Sequence, residues 1–307
     1  MKNKLLKLKY YLLNPSKLVL RIMNSKFSRI LADKTYLKIY FKCKMGYKLN
    51  LKNPQTFNEK LQWLKLYDRN PEYTKMVDKY EVREYIKEKI GEEYLIPLIG
   101  VYDKFDDIDF DELPNQFVIK CNHDSGGLVI CKDKGKLNIE ETRKKINKSL
   151  KRNYYYSGRE WPYKNVKPRI IIEKYMEDSN KSDLIDYKLF CFNGIPKIVL
   201  VCSERFLSSN MCKTWFDMNW KLIDMTESGH RVDSTISKPK QLKKMVELSK
   251  KLSKNIPFIR VDWYEIGDKL YFGELTFYPA SGFEKFEPKE WNKKIGDMLS
   301  IDKLGVK

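Results

Sequence analysis

Phe117-Val118-Ile119-Lys120-Cys121-Asn122-His123-Asp124-Ser125-Gly126-Gly127-Leu128-Val129-Ile130-Cys131 is the stretch from which the rest of the chain can be read. Two short apolar runs flank an Asp-Ser-Gly-Gly turn, which predicts a β-hairpin. Lys120 closes the first run. A lysine half-buried at the end of an apolar strand is costly unless an anion meets it. The Ser-Gly-Gly turn is expected to expose amides and a hydroxyl, which suit phosphate oxygens. Taken alone, an ordinary hairpin whose lysine stem lies along apolar surface fits the same residues.

Outward from the hairpin, elements alternate. Upstream, Thr56-Phe57-Asn58-Glu59 has capping-box spacing and starts a helix that buries Leu61, Trp63, Leu64 and Leu66. A second helix is expected from Tyr73 to Ile90, stopping at Gly91. Leu95 to Tyr102 reads as a strand broken by Pro97. Downstream, residues 138–152 and 239–254 read as helices and Arg169 to Glu173 as a buried strand. Asp186 to Phe192 and Lys197 to Cys202 pair around Asn193-Gly194, a strong hairpin signal. Phe258 to Trp263 and Lys269 to Thr276 pair around Gly267-Asp268. No repeat is visible, and the class is α+β with largely antiparallel sheets.

Composition excludes several classes. The 307 residues are 42% hydrophobic and 33% charged, with 14 Gly and 12 Pro, enough to bury a core and unlike a disordered chain. No apolar run approaches the ~18 residues a membrane span needs. The first residues lack a leader's apolar stretch and cleavage site, so a cytoplasmic protein is expected. Six scattered cysteines and two histidines argue for reduced, mostly buried thiols and against a zinc site. Of the net charge of +19, residues 1–50 contribute +12 and the remainder +7. Leu5, Leu8, Leu12, Leu18, Ile22, Phe27 and Ile30 recur among those lysines at near-helical spacing. An amphipathic segment meeting anionic lipid or a polyanion, at the inner face of the membrane, fits this pattern; so does a helical extension folded over the body.

Two further constellations carry chemistry. Arg260-Val261-Asp262-Trp263 and Gly273-Glu274-Leu275-Thr276 end two strands joined by a tight turn. Asp262 and Glu274 can converge there, and alternation puts Thr276 on the face of Glu274. Two carboxylates and a nearby oxygen suit Mg²⁺, with Arg260 placed to neutralise a transferring phosphoryl group. Ile171-Ile172-Glu173-Lys174-Tyr175-Met176, followed by Asp186-Tyr187-Lys188, can offer backbone groups to an adenine edge, Asp186 to ribose and Lys188 to phosphate.

In this order the motifs resemble the ATP-grasp superfamily, and more closely the branch named for the teichuronopeptide biosynthesis protein TupA. The closer resemblance rests on Asn53 to Lys60, Asp78 to Arg83, Lys120 to Gly127, Asp186 to Gly194 and Gly273 to Gly282, and spans roughly residues 50–290. It implies an ATP-grasp fold of two α+β subdomains gripping ATP. Residues 1–55 would be a basic helical extension, 56–116 a helical lead-in, 117–175 the first subdomain and 176–307 the second, with the metal site. Lys79 and Lys120 would meet the phosphates under a loop of Ser125, Gly126 and Gly127. Glu173 and the backbone of Lys174, Tyr175 and Met176 would hold adenine, and Asp186 the ribose. Asp262, Glu274 and Thr276 would ligate Mg²⁺, although the family usually has asparagine at the Thr276 position. Residues 1–75 are too short for the α/β domain that most such ligases carry ahead of the ATP site.

The chemistry implied is carboxylate–amine ligation through an acyl-phosphate, with Lys120, Lys188 and Arg260 as catalytic cations. Its partners would be an anionic carboxylate, small or polymeric, and an amine donor, in surface-polymer synthesis, with no nucleic acid. Rival readings are an ATP-grasp kinase, a glycosyltransferase using the DxD patterns Asp107-Ile108-Asp109 and Asp109-Phe110-Asp111, and an adaptor that binds a polyanion or membrane surface through residues 1–50.

Overall fold

Pro15 at its first turn starts α1 (Pro15–Met23), and a 3₁₀ turn (Lys26–Ile30) leads to α2 (Asp33–Met45). The computed structural model describes residues 10, 11, 13–178, 184–204 and 211–301; the expected amphipathic positions Leu5, Leu8 and Leu12 lie outside them. Met23, Tyr36, Leu37, Tyr40, Phe41 and Leu49 form a small core of their own, against which Phe283 packs.

Thr56 caps α3 (Phe57–Tyr67), and both halves of the expected capping box are present. The single helix expected over 73–90 is instead two, α4 (Glu72–Val77) and α5 (Val82–Lys89). Buried Asp78 breaks it: its Oδ1 accepts the Tyr80 and Glu81 N–H groups, while the Lys79 N–H is given to Asn122 O at 3.2 Å. A continuous helix would direct those amides back along its own axis.

β1 begins only at Leu98 (Leu98–Tyr102), beyond Pro97, rather than at Leu95. It joins β2 (Phe117–Cys121), β3 (Leu128–Cys131) and β4 (Ile170–Lys174) in an antiparallel sheet ordered β1-β4-β2-β3, with α6 (Ile139–Leu150) between β3 and β4 in sequence. Phe117, Ile119, Ile170 and Ile172 bury one face of this sheet with Phe105 and Ile146. The period of two therefore leaves Val118, Lys120, Ile171 and Glu173 on the other.

The second sheet is built from β5 (Asp186–Phe192), β6 (Ile195–Ser203), β7 (Cys212–Asp217), β9 (Phe258–Ile266) and β10 (Lys269–Thr276), all pairs antiparallel, in the order β10-β9-β5-β6-β7. A two-residue β8 (Thr226–Glu227) pairs with β11 (Phe286–Glu287). Helix α7 (Leu242–Leu252), shorter than its expected span, buries Leu242 and brings Met245, Leu248 and Leu252 into the core, and its Ser249 accepts the Trp263 indole N–H at 2.9 Å. Each such side chain contributes about 1.5–3 kcal/mol when fully buried. The last helix, α8 (Trp291–Asp297), packs so closely on the start of α3 that a Cβ on Gly296 would sit 2.8 Å from Phe57 N. All six cysteines are free thiols, five of them buried.

Candidate active site

The free faces of the two sheets meet across a cavity of 240 Å³ lined by Lys79, Arg83, Lys120, Glu173, Asp186, Lys188, Asp262 and Glu274. Register explains the grouping. Lys120 lies opposite Ile171 and Val118 opposite Glu173, so Lys120 and Glu173 are diagonal neighbours and pair at 2.5 Å. Across the gap, Lys188 lies opposite Asp262 and bonds both Asp262 and Asp186 at 2.5 Å. The helix break at Asp78 delivers Lys79, whose Nζ donates to Asp124 O at 2.5 Å.

Arg260 is the electrostatic hub. Its Nε and Nη2 hold both oxygens of Asp262, and Nη2 also reaches Glu274 Oε1 at 2.7 Å. Thr276 Oγ1 donates to the same Glu274 oxygen at 3.1 Å. Burial lowers the ammonium affinity of Lys188 for its proton, but Asp186 and Asp262 more than offset this and keep it cationic. Burial raises the Glu274 carboxyl, yet Arg260, Lys188 and Lys79 pull it down to about 2. The Lys79 ammonium is drawn below its ordinary value by burial, with Glu274 opposing.

Some expected residues stand elsewhere. Gly126, Lys174, Tyr175, Met176 and Thr276 do not line this cavity, and the Lys174 N–H is given to Pro97 O at 3.0 Å. The turn amides are not free as expected: Gly126 and Gly127 both donate to Asp124 Oδ1, at 3.2 and 2.9 Å. This Asx-type turn tightens the hairpin. Gly127 is required by close approach, since a Cβ there would collide with Ser149 Oγ and lie 2.7 Å from Cys121 Sγ. Asp107, Asp109 and Asp111, the DxD residues, are exposed and line neither this cavity nor the one described next.

Sequence reading assigned no role to Arg83, 3.6 Å from Glu173, although it follows Lys79 by four residues. It also missed a second cavity of 160 Å³, lined by Phe57, Asn58, Lys188, Phe190, Cys202, Lys213, Trp215, Glu227, Arg260 and Glu284 among others. Cross-strand register was the missing signal: Lys188, Leu200 and Trp215 form one row across β5-β6-β7, and Asp186, Cys202 and Lys213 the next. Lys188 and Arg260 help to wall this second cavity, and Lys188 lines the first as well. Lys213 is paired with buried Glu227, and burial together with Glu227 raises the Glu284 carboxyl. The Trp215 N–H and Asn58 Oδ1 are buried with no hydrogen-bond partner among the described residues.

A buried lysine supports the loop of Pro279, Ala280 and Gly282 that lines the second cavity. Lys65 Nζ donates to Gly158 O, Ser281 O, Ser281 Oγ and Gln62 Oε1 at 2.7–3.1 Å. Ala280 and Ser281 there have φ of 46° and 54°, left-handed values that non-glycine residues hold only under support. Burial lowers the Lys65 ammonium to about 7, with Glu160 opposing.

The charge pattern can be tested for fit to a nucleoside triphosphate with a divalent cation. Lys79, Lys120 and Arg83 supply donors for phosphate oxygens, and Asp262 and Glu274 supply hard oxygen ligands. Among the described residues no cluster of three His, Cys, Asp or Glu could hold a metal alone. Two carboxylates completed by phosphate and water match Mg²⁺ chemistry, so the residues fit. Met76, Val77, Leu95, Ile96 and Leu128 give the same cavity an apolar wall suited to a base.

Two antiparallel sheets closing on such a cavity define an ATP-grasp protein. The chain belongs to the TupA-like ATP-grasp family, whose model matches residues 59–300. Similar solved structures include the D-alanine–D-alanine ligase of Bacillus anthracis complexed with ATP, at 18% identity and TM-score 0.39, over 66% of this chain and 53% of that one. The D-alanine–D-alanine ligase of Helicobacter pylori is similar at 14% identity and TM-score 0.43, over 79% of this chain and 69% of that one. The chain thus spans about half the length of the first of these. No curated protein sequence matches it. Among the described residues no helix is long and apolar enough to cross a membrane.

Proposed function

We propose that this protein is an ATP-dependent carboxylate–amine ligase that works through an acyl-phosphate, in the cytoplasm, on precursors of a surface polymer. The observation that carries the reading is the position of Lys188, in the wall of both cavities, beside Arg260. With ATP in the first cavity, Lys79 and Lys120 hold phosphate oxygens, Glu173 and the apolar wall face the base, and Asp186 faces the ribose. Asp262 and Glu274, the latter bonded by Thr276, would hold Mg²⁺, which would neutralise phosphate charge. The acceptor enters the second cavity and meets the terminal phosphate at Lys188 and Arg260.

A carboxylate oxygen then attacks the γ-phosphorus and the bond to ADP breaks. Next, the amine nitrogen attacks the acyl carbon, the carbon–oxygen bond to phosphate breaks, and phosphate leaves with the proton that the amine gives up. Positioning and charge neutralisation supply most of the rate. An ADP-release assay against a panel of uronic acids and amino acids, with hydroxylamine present, tests this. Carboxylate-dependent ADP release with hydroxamate formation is expected. ADP release with phosphate left on a hydroxyl and no hydroxamate would make the protein a kinase.

A further inference from the structure

The N-terminal helical layer carries a surface that neither cavity uses. Leu13, Leu18, Ile22, Phe27 and Ile30 are exposed there, Phe27 at 81% and Ile30 at 89%. Leu18 and Ile22 are four residues apart on α1, and Phe27 and Ile30 three apart on the following 3₁₀ turn, so each pair shares a face. The inward side is spoken for: Met23 is buried, and Val19, Leu20 and Leu31 pack on the small core. The layer is fastened to the body, since buried Arg159 donates to Ser28 O at 2.6 Å and Arg29 stacks 4.5 Å from the Tyr156 ring centre. The exposed apolar side chains are therefore held outward by a fixed scaffold.

Charge identifies the occupant. Lys17, Arg21, Lys26, Lys34 and Lys38 are exposed in the same segment, and its one acid, Asp33, is paired with Arg69 and Tyr155. Tyr10 and Tyr11, under Lys17 and Arg21, add amphipathic rings of the kind that sit at headgroup level. A nucleic acid would satisfy the cations and leave Phe27 and Ile30 in water. An anionic bilayer satisfies both, with basic groups at the phosphates and apolar side chains among the acyl chains.

We propose that this face docks on an anionic lipid bilayer, holding both cavities beside the membrane. The inference is independent of the ligase reading. Its test is co-sedimentation of the 307-residue protein with vesicles of phosphatidylcholine alone or mixed with phosphatidylglycerol. Binding to the mixed vesicles only, weakened by salt and reduced about tenfold or more in F27E and I30E, is expected. Both positions are so exposed that neither variant disturbs folding, which circular dichroism checks. No preference for phosphatidylglycerol, or unchanged binding by F27E and I30E, would overturn the proposal. So would light scattering that shows these residues instead joining two copies of the chain.

Discussion

Arg260 grips Asp262, two residues along the same strand, with Nε and Nη2 on its two carboxylate oxygens at 2.6 and 2.7 Å. This fork needs a planar guanidinium and cannot be reproduced by a point charge. Arg260→Lys should fold yet lose turnover by about 100-fold. Arg260→Ala strips one partner from a buried carboxylate and should also lower stability by about 3 kcal/mol. Urea unfolding and ADP release measure the two effects separately.

Glu274 is held ionised by Arg260, Lys188 and Lys79, with its carboxyl near 2 against an ordinary 4.5. A depressed carboxyl adds stability above its unfolded value and loses it as pH falls through the folded one. The Glu274 contribution is thus complete above about 4.5 and fades toward 2. The side chain is 42% exposed, so the effect is moderated by solvent. Glu274→Gln should flatten the stability–pH curve between those limits and abolish Mg²⁺-dependent ATP turnover. A variant that turns over ATP normally would exclude Glu274 as a ligand.

Lys65 offers a contrasting case, a buried ammonium that lines neither cavity and fastens the Ser281 loop. Lys65→Met leaves the Gly158 and Ser281 carbonyls without that donor, which should cost about 2 kcal/mol. Because the Lys65 folded value is lowered to about 7 from 10.5, its contribution to stability rises with pH between those values, and the variant should lose that slope. Thermal unfolding across that range checks the sign.

How much of this was legible in the sequence depends on the distance over which each feature is decided. The Thr56–Glu59 capping box and the Asn193-Gly194 hairpin are local, and both formed as read. The break at Asp78 is only partly local: its Oδ1 takes the Tyr80 and Glu81 N–H groups two and three residues on, but the Lys79 N–H goes to Asn122, forty-odd residues away. The occupied turn amides were within reach, since Asp124 stands two and three residues before Gly126 and Gly127. Lys65 could not be found, because its burial is set by the loop at Ser281 and by Gly158. The second cavity needed strand order and register, which alternation alone does not supply.

The central claim is that one triphosphate lies between Lys79 and Lys120 on one side and Asp262 and Glu274 on the other. Calorimetric titration of ATP with Mg²⁺ into the wild type and Lys120→Met tests it most directly. Saturable one-site binding, weakened about tenfold or more in Lys120→Met and lost without Mg²⁺, is the predicted result. No binding by the wild type, or equal affinity in the variant, would contradict it.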